Sequence, residues 1–171
     1  MAENFKFELT GVKELMSLLD QLPTVAMQKG VVRNALKKAA KPTMEMAKQN
    51  LPRGKTGNLE KSIKVSTSLK GSQKKGKTID RSTVEVYVGS TAPHAHLIEF
   101  GTGPRETKNG AYRGQVSPTP FLRNAWDATK DAALRIFAKE METELLKAAK
   151  RLASKAERGK LGKAQLRGLS G

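Results

Sequence analysis

The sequence predicts an α+β fold: a small, mainly antiparallel sheet packed by a kinked helix and a long C-terminal amphipathic helix. Three observations predict it. Val84, Val86 and Val88 alternate with Glu85 and Tyr87, the period-two pattern of a half-buried strand. Leu122, Ala125, Trp126, Thr129, Ala133, Ile136, Phe137, Met141, Leu145, Ala149 and Leu152 keep three-four spacing for some nine turns. A second helical pattern from Val25 to about Asn50 carries Pro42 in its interior, where a lost backbone hydrogen bond predicts a kink.

The elements follow in order. Phe5, Phe7 and Leu9 share one face of a short predicted strand. Thr10 caps a helix over Val12 to Leu22, and Pro23 ends it. Thr24 caps the kinked helix, with Arg33, Lys37, Lys38, Lys41 and Lys48 on its solvent side. Leu51 to Gly57 is a turn-rich break. One helical turn over Asn58–Ile63 leads into a strand over Lys64–Leu69, and Ser82–Gly89 forms its hairpin partner. Lys70–Arg81 is the basic connector between them. Gly103–Ser117 reads as a long, flexible, basic loop. Thr119 caps the final helix, with Pro120 at its first position and an end near Ser154. Residues 1–154 are therefore expected to form a single domain, and 155–171 a basic flexible tail.

Composition narrows the function. With 37% apolar and 5% aromatic residues the core is expected to be modest, leaving surface for a partner to cover. The long helix exceeds what such a core covers. The net charge of +16 calls for acidic neighbours or nucleic acid. The absence of cysteine excludes disulfides and thiol chemistry. No apolar run approaches a membrane span, and the first residues carry no signal core, so a cytoplasmic site of synthesis without membrane contact is expected.

Candidate chemistry is thin. His94-x-His96-x-x-Glu99 has two metal-ligand types but no third histidine and no cysteine, and no metal is expected. Glu99 lies in an apolar stretch and calls for an arginine, either Arg105 or Arg123. There is no nucleophile elbow and no phosphate loop. Catalysis and cofactors are therefore not expected. Leu97, Ile98, Glu99, Phe100, Gly101 and Thr102 are instead expected to form an elbow at a subunit boundary, with Phe121, Leu122 and Trp126 expected to anchor the long helix. Lys70, Lys74, Lys75, Lys77, Arg105 and Arg113 are the candidate contacts to acidic partners or DNA. The alternative is a sequence-nonspecific, basic nucleic-acid-binding protein, although aromatic platforms for bases are scarce.

Four segments in fixed order carry a resemblance: Gly57-Asn-Leu-Glu-Lys-Ser-Ile63, Val84-Glu-Val-Tyr-Val-Gly89, His96-Leu-Ile-Glu-Phe-Gly-Thr102 and Pro118-Thr-Pro-Phe-Leu-Arg-Asn-Ala125. Together they resemble the tailed-bacteriophage neck or tail-completion family typified by the tenth gene product of a lambda-like phage, similar in role to the lambda minor tail protein Z. The resemblance covers about Lys48 to Ala128. It implies a structural virion protein at the head–tail junction. Such a protein is made in the host cytoplasm and forms a homo-oligomeric ring, a hexamer by preference, around the DNA passage. Its expected partners are copies of itself, the neighbouring neck and tail proteins, and the DNA.

Overall fold

A computed structural model describes residues 17, 19, 20, 22, 24–52, 57–69 and 83–159. The strand expected at 5–9, most of the helix at 12–22, the connector with Lys70, Lys74, Lys75 and Lys77, and the tail beyond Gly159 lie outside the described residues. The fold is α+β. Its elements are α1 (Val25–Ala39), α2 (Lys41–Gln49), α3 (Asn58–Ser62), β1 (Ile63–Ser66), β2 (Tyr87–Ser90), α4 (Ala95–Phe100) and α5 (Phe121–Glu157). They fall into two compact units. One joins the chain up to Lys38 with the chain from Arg135, and the other is Ala39–Leu134.

The first unit is built on α1 and the later turns of α5. Val31 and Ala35 lie one turn apart on α1, and Met141, Leu145 and Ala148 line the facing stripe of α5. These residues are buried together with Leu22, and Met27, Val32 and Phe137 close the edges. Beside this apolar seam lies an ionic contact. Glu144 is 6% exposed, and its carboxylate accepts from Lys38 Nζ at 3.0 Å, Asn34 Nδ2 at 3.1 Å and Lys147 Nζ at 3.2 Å. Lys38 also reaches Glu140. Lys38 was expected on the solvent side. Its long stem instead carries the charge across to α5, because a carboxylate buried there must be paired.

Donation from Lys38 is the largest cause that holds the Glu144 carboxyl down at about 2, against an ordinary 4.5. The folded state therefore favours the ionised form. This contribution to stability is complete above about pH 4.5 and disappears as the pH falls towards 2. Urea midpoints measured at steps across that interval should fall for the wild-type chain. In Glu144→Gln the same acid limb should be shallower, with lower stability at neutral pH.

The kink falls where Pro42 predicts it. α1 ends at Ala39, Ala40 is a turn, and Pro42 sits in the first turn of α2, where its missing N–H costs nothing. The Ala40 carbonyl still accepts from the Met44 N–H at 3.1 Å.

In the second unit, β1 and β2 pair antiparallel, with Ile63 opposite Ser90 and Val65 opposite Val88. The ladder is shorter than the sequence predicts. β1 starts one residue early, at Ile63, and ends at Ser66; β2 starts only at Tyr87. The chain bends at Thr67–Ser68, where Ser66 Oγ accepts from the Ser68 N–H. β1 therefore provides no partner for Val84 and Val86. The core of this unit is Ala47, Ile63, Ala95, Phe121 and Ala125, with Met44, Leu59, Val88 and Ile98 packed against it. The buried hydroxyls of Thr43 and Thr129 bond to each other at 2.7 Å, and Thr129 also donates to the Ala125 carbonyl.

α5 runs three residues beyond the expected end at Ser154, to Glu157. Gly159 follows at φ 61°, the left-handed residue that commonly closes a helix. No helix among the described residues is long and apolar enough to cross a membrane.

Candidate functional site

The elbow is built by α4, Gly101 and the start of α5. Ala95–Phe100 folds as a short helix, and it turns Ala95 and Ile98 into the core. Gly101 then takes φ 72°, ψ −176°, a conformation open essentially to glycine alone. The next residue, Thr102, binds the far end of the arm. Its N–H donates to the Val116 carbonyl at 2.9 Å, and its hydroxyl accepts from the Val116 N–H at 3.0 Å. The Thr119 N–H donates to the Ile98 carbonyl at 2.7 Å, which ties the segment before α5 to α4.

Glu99 completes the clasp. α5 begins after Pro120, whose carbonyl accepts from the Asn124 N–H at 3.1 Å, one residue later than the sequence predicts. The N–H groups of Leu122 and Arg123 have no partner inside the helix. Proline has no side-chain acceptor to cap them. The Glu99 carboxylate accepts from both, at 2.9 Å and 3.0 Å, and is itself 7% exposed. Its charge also sits at the positive end of the α5 dipole. Two expectations are corrected here. Glu99 pairs with backbone amides rather than with a guanidinium of Arg105 or Arg123, and Glu99, not Thr119, caps the helix. Charge-assisted hydrogen bonds of this kind contribute about 1.5–3 kcal/mol each.

The segment between Thr102 and Val116 is a paired arm, not a loose loop. Bridges form at Thr102–Val116 and Glu106–Tyr112. The Arg105 N–H donates to the Gly114 carbonyl, and the Arg113 N–H to the Arg105 carbonyl. The tip turns through Thr107–Gly110, where the Gly110 N–H returns to the Thr107 carbonyl at 2.9 Å. Gly110 at φ 76° and Gly114 at φ 82° permit these reversals. Backbone pairing thus replaces the flexibility that composition alone predicts.

The structure sorts the candidate interface residues. Phe121 is fully buried and anchors α5, while Leu97, Ile98 and Leu122 are half-buried. Trp126 does not anchor the helix within the chain; it is 54% exposed, because it lies past the edge of the Phe121–Ala125–Thr129 core stripe. Phe100 is 69% exposed at the end of α4. Arg105 and Arg113 are exposed and adjacent across the arm. Sequence reasoning missed Tyr112, which is 65% exposed on the arm, and the exposed carboxylates Asp127 and Asp131 on α5. Asp127 and Asp131 stand at i, i+4 spacing, which was a readable signal. Beside the elbow, a groove of about 960 Å³ runs between β2 and the helices, lined by Val88, Ser90, Pro93, His96, Phe100 and Arg123. His94 and His96 are both exposed, and the Glu99 carboxylate is committed to α5.

A short helix, a glycine elbow and a paired arm joined at its base by Thr102 and Val116 make up the candidate site. Residues 13–101, just over half of the chain, match the bacteriophage HK97-gp10 tail-component family. The chain belongs to this family of phage tail components. The matched stretch ends at Gly101, so the arm and α5 lie beyond it. No curated protein and no solved structure matches the chain.

Proposed function

We propose that the protein is a structural component of the head–tail junction, forming a homo-oligomeric ring around the DNA passage and joining or completing the tail. Membership of a tail-component family supports a structural role in the virion. The observation that carries the finer reading is the latched arm, which is exposed together with Tyr112, Phe100 and Trp126. Large aromatics left in solvent near a rigid projection are the features of a protein contact, since they bury much area at little entropic cost. The ring domain spans residues 1–154, and a hexamer is the preferred number. Leu97 to Thr102 with Phe121, Leu122 and Trp126 form or support the subunit boundary. Lys70, Lys74, Lys75 and Lys77 meet acidic neighbouring neck and tail proteins or the DNA. The protein performs no catalysis and uses no cofactor.

Light scattering combined with negative-stain imaging tests this reading. Annular particles near six times the 18.6 kDa chain mass are the expected result. A species of one chain mass at all concentrations, with no rings on the grid, counts against it.

A second reading, a nonspecific nucleic-acid binder, is favoured by the last turns of α5. Lys150, Arg151, Lys155 and Arg158 are exposed there, with Glu157 the one acid among them. It predicts tight duplex binding that falls steeply with salt and needs no ring.

A further inference from the structure

We infer that the arm of one copy docks across the first turns of α5 of a second copy, with Arg105 and Arg113 facing Asp127 and Asp131, and Tyr112 packing against Trp126. This inference rests on the ring reading above and names the contact that would build it.

The donor surface is preorganised. Among the described residues, every hydrogen bond made by residues 103–115 stays within the arm. Its base is fixed at Thr102–Val116 and, one step further in, by the Glu99 cap. Each leg spans about six residues and reaches roughly 20 Å from the elbow. An arm already paired and anchored loses little further conformational freedom on docking. What it presents is mainly cationic and aromatic: Arg105 and Arg113 are backbone neighbours across the arm, and Tyr112 stands in solvent with the exposed Glu106 opposite it.

The acceptor surface has the complementary chemistry. Asp127 and Asp131 are exposed one turn apart on α5, in a chain with 32 basic and 16 acidic residues. Neither forms an ion pair among the described residues. Trp126, next to Asp127, is the single tryptophan of the chain and is 54% exposed. Two carboxylates beside an exposed indole fit two guanidiniums beside a phenol. The charges select the partner and the register, and the desolvated ring pair supplies most of the binding.

The occupant is a second copy because one sequence carries both halves, and within a chain the arm forms no ion pair with Asp127 or Asp131. The two halves are different patches. Such a contact is heterologous; it repeats head to tail and closes into a ring where the rotation permits, whereas an isologous contact would stop at a dimer.

Charge exchange tests the contact. Arg105→Glu with Arg113→Glu should weaken self-association roughly tenfold or more. Asp127→Lys with Asp131→Lys should do the same, and the combined fourfold variant should recover it. Trapping gives an independent readout, because the chain has no cysteine of its own. Ala111→Cys on the arm and Ala128→Cys on α5 are exposed positions at the edge of the contact. Mixed and treated with a short bismaleimide, they should give a hetero-linked pair that neither gives alone. Each variant's circular dichroism checks that it is folded. Wild-type rings together with unchanged assembly of the charge variants and no hetero-linked pair would remove the arm contact and leave the ring standing. A trapped pair from a chain that forms no rings would support the contact and remove the ring. Neither rings nor trapping would remove both.

Discussion

Gly101→Ala is expected to cost roughly 3–5 kcal/mol of stability in the Ala39–Leu134 unit. Two costs combine. At φ 72°, ψ −176° an alanine pays for a backbone conformation that L-residues almost never adopt. Its Cβ would also stand 2.8 Å from the Val116 carbonyl oxygen and 2.9 Å from Pro118 Cδ and N. These are backbone and ring atoms, so no side chain can swing aside to make room. Relief requires opening the clasp, which breaks the Thr102–Val116 pair and frees the arm. Gly103→Ala is the control: nothing lies within 4 Å of the place its methyl group would occupy, and stability should change by less than about 0.5 kcal/mol. Urea unfolding followed by the fluorescence of Trp126 reports on this unit directly. Equal midpoints for Gly101→Ala and the wild-type chain would show that the elbow does not hold the arm.

Phe121→Ala should be about as severe, at roughly 4 kcal/mol. Phe121 is 0% exposed and, with Ile63, is one of the two largest fully buried side chains among the described residues. Its buried neighbours Ala47, Ala95 and Ala125 are small and sit on helices. They have no rotamers with which to fill the space, and the larger Ile63, Met44, Leu59 and Ile98 of the same cluster relax only in part, so a cavity remains and the loss falls in the middle of the range for aromatic truncation. Phe121→Leu keeps most of the volume and should cost about 1.5 kcal/mol or less. Trp126→Ala, five residues along the same helix, should leave the monomer within about 0.5 kcal/mol of wild type, because the indole is 54% exposed. A Trp126→Ala variant as unstable as Phe121→Ala would reverse the assignment of these two aromatics; circular dichroism can read this comparison without the tryptophan.

Much of the fold was legible from local patterns. The kink at Pro42 follows from a missing N–H, and α5 follows from three-four spacing kept over many turns. The antiparallel pairing of two short strands followed from alternation, but their extent did not. Val84 and Val86 have the right period, yet the bend at Thr67–Ser68 takes the partner strand away. Burial of Glu99 among apolar neighbours was readable as a demand for a partner. The identity of that partner was not, because backbone amides carry no letter in a sequence. Trp126 shows a further limit: the helical pattern sets it on one apolar stripe with Phe121, and only the structure shows that the stripe is wider than the surface that covers it, which leaves the indole 54% exposed.

The sequence by itself determined the kinked helix, the long C-terminal helix, the pairing of two short strands, the glycine at which the chain turns, the basic balance and the order of motifs that marks the family. These depend on side-chain period, backbone permission and charge, which are properties of neighbours along the chain. Only the tertiary structure decided that Glu99 caps a helix beginning more than twenty residues later, that Lys38 crosses to Glu144, and that the segment from Thr102 to Val116 is a paired arm. Those outcomes depend on which distant amides and charges meet once the core has closed, and that is settled by packing in space.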